Sequence, residues 1–278
     1  MAIKTVLFDL GDTLWHFPQL PPAQEIRTTT MRRIGGLLKT WDVPLDEKLR
    51  FLGREIRFGV ERADRAAYES DCVSPDFNEV VRGIASEMGL EIDYERAAAL
   101  WDAWNIGGLA LGRTMFDDAF PMLDWLRDHG YRIGCVTNRV FGGPRFAEEL
   151  RELGLDKYFE STAVSCDLGY MKPHPNVYQY VFDEMKIDPR ETAMVGDSLR
   201  ADVEGPQALG MTAIWRRMKR ADPPHEPEQV GEVPAETPAT RAQTGRALGD
   251  FSGGEGVTPE YTIHTLWELT ELPIFAPS

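Results

Sequence analysis

Cysteine is scarce in this sequence, with three in 278 residues. Cys72, Cys135 and Cys166 are odd in number and widely spaced, without a paired metal-ligand pattern. That excludes a disulfide framework and predicts reduced thiols in a cytoplasmic protein. Long apolar runs are missing too. No stretch of about 18 apolar residues occurs, so no transmembrane helix is expected. The opening MAIKTVLFDL lacks the charged-then-apolar order of a leader segment. Basic charge is also short. Thirty Lys and Arg against 45 Asp and Glu leave a formal net charge of −15. A general affinity for nucleic acid or an anionic membrane surface needs a basic footprint, and neither partner is expected. A small anionic ligand is still allowed, provided its site is locally positive.

Apolar residues make up 42% of the chain, enough for a real core at this length. Short runs at 5–9, 131–138, 161–167, 192–197 and 211–215 are apolar nearly throughout instead of alternating. That pattern predicts strands covered on both faces in a parallel sheet. Helical patterns lie between them at 117–130, 144–154 and 175–186, with Gly130 and Gly154 at C-cap positions. Strand and helix in alternation indicate a doubly wound α/β core. The gap after the first strand is too long for one crossover. Residues 16–114 carry helical spacing at 23–41, 45–68, 76–89 and 94–111, with no convincing strand. An all-helical domain is therefore expected at 16–114, inserted into a core of residues 1–15 and 115–278. It leaves the core at the C-terminal end of strand one, where open α/β sheets bind ligands, so it is expected to serve as a lid. Residues 217–259, rich in Pro, Glu, Gly and Thr, read as a long solvated loop. The segment 260–272 reads as a last strand and helix.

Polar residues end several of these runs. Asp9 closes the first strand, Thr137 and Asn138 the second, and Asp197 the run TAMVG. A parallel sheet places all three ends on one edge. Each alone serves equally well as a helix cap. Together, with a lysine in GYMKPHP ahead of a helix, they make the parts for phosphate-ester hydrolysis. A carboxylate attacks phosphorus and splits one hard step into two. Two carboxylates and a backbone carbonyl suit Mg²⁺, a hard ion that prefers oxygen. A lysine, a hydroxyl and backbone N–H groups meet the charge of the transferring group.

These residues fall in four segments, FDLGDTL, VTN, KPHPNVY and GDSLRADVEGPQALG, in order from residue 8 to 210. The set resembles the haloacid dehalogenase superfamily, whose members have a Rossmann-like core and, in one subgroup, a helical cap at the place of this insertion. The resemblance implies a hydrolase of small phosphorylated metabolites that uses Mg²⁺. It implies Asp9 as nucleophile and metal ligand, with the Gly11 carbonyl and Asp197 on the same ion. It implies that Thr13 supports the turn after strand one. Thr137 bonds the phosphoryl oxygens, with the Asn138 backbone assisting, and Lys172 neutralises nucleophile and phosphate. Ser198 orients the metal site, and Asp202 lies behind it or touches Lys172. Ser198 and Asp202 also read as the start of the following helix.

The sequence departs from the family at one position. The usual first segment is Asp-x-Asp-x-Thr, and its second aspartate is the general acid. Here Gly11 stands in that place, and Asp12 follows one residue late. Asp12 is expected to point elsewhere and to hold the turn. A positioned acid or base is worth about 10² to 10⁴ in rate. Its loss predicts a slower phosphatase that favours good leaving groups and builds up phosphoenzyme. The same gap opens two other readings: a metal-free 2-haloacid dehalogenase, in which the aspartate attacks carbon, or a catalytically weak phosphate- or partner-binding protein. GDSLRAD keeps acids that a metal-free site does not need, which favours the phosphatase.

Neighbouring residues say less. Trp15 reads as packing and His16 as a hinge residue. Arg139 either reaches an anion or makes a surface salt bridge. Trp41, Trp101 and Trp104 read as helical core. Arg27, Arg32, Arg33, Arg54 and Arg57 either supply charge towards an anion or, as is usual for arginine on a helix, face water. The sequence names no particular substrate and fits a monomer or a homodimer.

Overall fold

The computed structural model describes residues 2–217, 254 and 256–275. The long loop expected at 217–259 lies almost wholly outside the described residues. Strand β1 (Thr5–Phe8) leads into the two-residue β2 (Trp15–His16). Four helices follow: α1 (Ala23–Thr40), α2 (Leu52–Glu69), α3 (Phe77–Glu87) and α4 (Tyr94–Trp104). Then β3 (Thr114–Met115) returns to pair antiparallel with β2. Helix α5 (Ala119–Asp128), β4 (Arg132–Thr137), α6 (Gly143–Glu152), β5 (Thr162–Val164) and α7 (Ser165–Leu168) come next. Helix α8 (Pro175–Met185), β6 (Thr192–Gly196), α9 (Gly205–Ala208), β7 (Thr212–Arg216) and β8 (Tyr261–Ile263) complete the order.

The main sheet runs β5-β4-β1-β6-β7-β8, and every pair in it is parallel. The reason is visible in β1. Val6 and Phe8 join one apolar cluster with Ile133, Cys135 and Val195. Leu7 points the other way, into a second cluster with Val136, Met194 and Val177 of α8. Both faces are covered, so the strand reads as an unbroken apolar run. Burying each such side chain contributes about 1.5–3 kcal/mol. Local signals fix the helix ends. Asp76 accepts from the N–H groups of Asn78 and Glu79 at the start of α3, and Asp93 from that of Arg96 at the start of α4. Gly130 and Gly154 take φ of 80° and 72° just past α5 and α6, where a β-carbon is penalised.

The structure departs from the sequence reading at three places. The run 161–167 stops being strand at Val164, and Ser165–Leu168 forms a helical turn. The pattern at 94–111 ends as helix at Trp104. The insertion is not purely helical, because His16 and Thr114 pair across the β2–β3 ribbon at its two ends. Two-residue strands are too short to show periodicity.

Helices α1 to α4 pack around their own apolar cluster. Trp104 donates its indole N–H to the Gly53 carbonyl at 2.8 Å. Trp101 donates to the Val140 carbonyl at 3.2 Å and stacks on Phe141 at 4.1 Å, so this cluster reaches the segment after β4. The far end of α2 is tied down as well. Arg200 donates to the Tyr68 carbonyl at 2.8 Å, and the Met171 N–H to the Cys72 carbonyl at 2.9 Å. Tyr68, Cys72 and Met171 form a small buried cluster beside Lys172.

Helix α2 also buries an acid. Glu61 is 8% exposed, and its Oε1 has no hydrogen-bond partner among the described residues. Burial pushes its pKa up to about 6, with Arg57 and Arg65 opposing. A carboxyl raised on folding costs stability when charged. The cost is absent below the ordinary value of 4.5, grows as pH rises to about 6, and is complete above that. Glu61→Gln is therefore expected to raise Tm at pH 7.5 and to leave it unchanged at pH 4. Equal gains at both pH values would refute the buried-charge explanation.

Candidate active site

The strand order puts β1 between β4 and β6, so the ends of these three strands lie side by side. Asp9 directly follows β1 and donates its backbone N–H to the Val195 carbonyl at 2.9 Å. Its carboxylate Oδ1 accepts from Lys172 Nζ at 2.7 Å. Lys172 Nζ also donates to Asp202 Oδ1 at 2.7 Å. The lysine is wholly buried, and Asp9 and Asp202 nearly so. A buried ammonium between two carboxylates is stable only with such close pairing. Asp197 completes the group: ligand oxygens of Asp9, Asp197 and Asp202 all lie within 4.8 Å of one another. Three carboxylates at that spacing form a hard-oxygen donor set that fits Mg²⁺.

Each partner is held by the elements behind it. Asp202 sits in the helical segment Leu199–Glu204, and its Oδ2 accepts the Ser198 N–H at 3.0 Å. Ser198 Oγ accepts from the Ala201 N–H, so this serine caps the segment it precedes. Gly196 lies against Asp202, and a β-carbon there would overlap the carboxylate. Trp215 donates its indole N–H to the Asp197 carbonyl at 2.9 Å.

The segment after Asp9 is a tight turn. The Asp12 N–H donates to the Trp15 carbonyl at 2.7 Å, and Asp12 has φ of 51°. Gly11 pairs with Trp15 in an isolated bridge. Thr13 is buried and donates its N–H to the Leu10 carbonyl, while its Oγ1 finds no partner among the described residues. Its carbonyl accepts from Arg216, a buried residue that also bonds Asp118. Thr137 is the buried last residue of β4.

Asn138 has more to do than the sequence suggested. Its Oδ1 accepts the Lys172 N–H at 2.7 Å, and its Nδ2 donates to the Lys172 carbonyl at 3.0 Å. This two-point clamp fixes the lysine backbone across 34 positions of sequence. A misplacement of about 1 Å at a reacting group costs on the order of 10²-fold in rate. Asn138→Ala is therefore expected to lower kcat by about that factor with KM little changed. Asn138→Asp, which keeps the acceptor for the Lys172 N–H, should retain more of it. A rise in KM with unchanged kcat would place Asn138 on the substrate instead.

Around the site, Arg139 forms no surface salt bridge among the described residues, one of the two roles expected of it. It is buried, lies over the Phe146 ring at 4.2 Å and donates to the Phe141 carbonyl. Burial lowers its pKa to about 10. Trp15 is packed between Arg113 and Arg139, at 4.5 and 5.7 Å. His16 stacks on Phe116 at 4.2 Å. Burial, reinforced by nearby carboxylates, pushes the Cys135 and Cys166 thiols up, which disfavours their thiolate forms. The roles of Arg113, Arg216 and Asp118 carried no sequence signal, because each acts through a partner remote in the chain.

An aspartate held by a buried lysine thus lies at the C-terminal edge of the parallel sheet of an α/β protein. The chain belongs to the haloacid dehalogenase-like hydrolases, whose family model matches residues 3–210. It is similar to the HAD-hydrolase YfnB of Bacillus subtilis, 30% identical over 76% of this chain and 83% of that one. The structure of YfnB bound to magnesium matches with a TM-score of 0.50, at 23% identity over 98% of both chains. A glyceraldehyde 3-phosphate phosphatase of Methanopyrus kandleri is 28% identical over 84% of this chain and 91% of its own. In fold alone the chain also matches a 2-haloacid dehalogenase of Pseudomonas syringae, with a TM-score of 0.53, at 22% identity over 97% of each chain. Among the described residues no helix is long and apolar enough to cross a membrane.

Proposed function

We propose that the chain is a Mg²⁺-dependent phosphatase of small phosphate monoesters, acting through an aspartyl-phosphate on Asp9. Residues 16–114 serve as its cap, over a core of residues 1–15 and 115–278. The observation that carries this reading is the pairing of Asp9 and Asp202 on one buried lysine, with Asp197 alongside. The phosphatase named among its relatives and the magnesium in the YfnB structure support it.

Asp9, Asp197 and the Gly11 carbonyl are the groups that would hold the ion. Bound there, Mg²⁺ offsets charge on the transferring phosphoryl oxygens. Lys172 holds Asp9 Oδ1 and so aims the carboxylate at phosphorus. The Asp9–phosphorus bond forms as the ester oxygen leaves with its electron pair. Thr137 Oγ1 and the Asn138 N–H bond the phosphoryl oxygens during transfer. Water then hydrolyses the acyl phosphate and releases inorganic phosphate. Gly11 supplies no proton to the leaving oxygen and no base to the water. Asp12, at a turn position with φ of 51°, is assigned to the turn. Three close carboxylates stand beside the single lysine Lys172, a surplus of acidic groups that suits a bound cation and that a metal-free dehalogenase does not need.

The test is turnover of aryl and alkyl phosphates with Mg²⁺ and with EDTA. EDTA should stop both. With Mg²⁺, kcat/KM should fall about 10² to 10⁴-fold from aryl to alkyl esters, the worth of a missing acid. Equal rates on the two classes would show that another group donates the proton.

A further inference from the structure

Helices α1 and α2 enclose a cavity of about 440 Å³ that the proposed reaction does not use. Neither Asp9, Lys172 nor Asp197 lines it. Its walls carry Arg27 from the first turns of α1, Arg50 from the short 3-10 turn Leu49–Phe51, and Arg54 and Arg57 from the start of α2. In a chain of net charge −15 this is a local reversal of sign. The apolar part of the wall comes from Phe51 and from Trp104, which is 1% exposed and fixed through its indole N–H to Gly53.

Carboxylates face two of the four arginines, Glu55 beside Arg54 and the buried Glu61 within electrostatic reach of Arg57. Arg54 pairs with Glu55 at 2.7 Å. Among the described residues Arg27, Arg50 and Arg57 make no salt bridge, and Arg57 Nε is buried without a hydrogen-bond partner. Arg50 and Arg54 both lie over the Phe51 ring, at 4.8 and 4.7 Å, which holds two like charges on one wall. Four guanidinium groups around one cavity repel one another, and an anion relieves that repulsion. Guanidinium forks match carboxylate and phosphate oxygens two at a time. The volume suits a small organic molecule, and the aromatic wall suits an apolar body.

We propose that this cavity is an anion-binding site for a small molecule with an apolar body and at least one carboxylate or phosphate group. Two sources share that chemistry: the far end of a long substrate, or a separate effector. Tyr68, beside the Lys172 segment, and Arg57 lie on one face of α2, and the interval between them is about 16 Å at 1.5 Å per residue. A three-carbon phosphate does not span that interval, so a substrate that fills both places is longer.

The probe is benzene-1,3-dicarboxylate, titrated calorimetrically into the full chain in EDTA, where the carboxylate cluster of the core repels it. Saturable binding is expected, weakened at least tenfold in Arg27→Gln/Arg57→Gln and weakened by added salt. Circular dichroism checks that the variant is folded, and Arg50→Gln/Arg54→Gln is the second variant. No saturable binding in the wild type, or equal affinity in both variants, overturns the proposal. Kinetics then separate the sources. If the substrate's far end binds here, the variants lose kcat/KM selectively on phosphate esters with a second anionic group. If an effector binds here, the dicarboxylate changes p-nitrophenyl phosphate turnover without competing with it. The binding readout does not depend on turnover, so this site and the phosphatase reading fail separately.

Discussion

Asp9→Asn is expected to abolish phosphatase turnover while leaving the protein folded. The amide keeps an oxygen where Lys172 Nζ donates, and Lys172 keeps its second bond to Asp202. The change removes the charge and the nucleophilic oxygen and little else. Losing the attacking group of a covalent mechanism costs on the order of 10⁶ in kcat. Turnover of p-nitrophenyl phosphate should fall to background, with a Tm close to that of wild type. A variant that keeps a tenth of the activity would place the nucleophile elsewhere.

Lys172→Met carries the second large effect, and it reaches stability as well as rate. The lysine is wholly buried, and both of its carboxylate partners are buried with it. Methionine fills much of the same volume and leaves Asp9 and Asp202 without their cation. Removing one member of a buried ion pair costs about 3–5 kcal/mol, because a charge is left uncompensated. Turnover should vanish, since the nucleophile is no longer aimed. Thermal melts of both proteins at neutral pH measure the difference. A variant with wild-type Tm would contradict the ion-pair explanation.

The sequence carried the sheet and the meeting of its polar strand ends well, for physical reasons. Strands covered on both faces are continuous apolar runs, so β1, β4 and β6 stood out, and a parallel sheet puts Asp9, Thr137 and Asp197 on one edge. Lys172 and Asp202 were harder to read, because their meeting depends on how the segments after β5 and β6 fold back. The clamp of Asn138 on Lys172 was not legible, since a side-chain bond to a remote backbone leaves no periodic trace. One of the two readings of Arg139, a surface salt bridge, fails for a related reason. Arginine is a surface residue by default, and only the packing of Trp15 and Phe146 around it shows it to be buried. Arg27 and Arg54 are exposed, as helix arginines usually are, and that they line one cavity was not legible because its wall is shared between helices.

The glycine in place of the family's acid is the central feature of this chain. With Gly11 supplying neither acid nor base, attack by Asp9 should outrun hydrolysis of the product it forms, and the acyl phosphate should accumulate. The most direct measurement is acid quenching of the protein during turnover of p-nitrophenyl phosphate with Mg²⁺, followed by intact-mass and peptide analysis. The account predicts a large fraction of chains carrying one phosphoryl group on Asp9, released by hydroxylamine and absent from Asp9→Asn. Steady turnover with no trace of phosphoenzyme, and with Asp9→Asn still active, would contradict it.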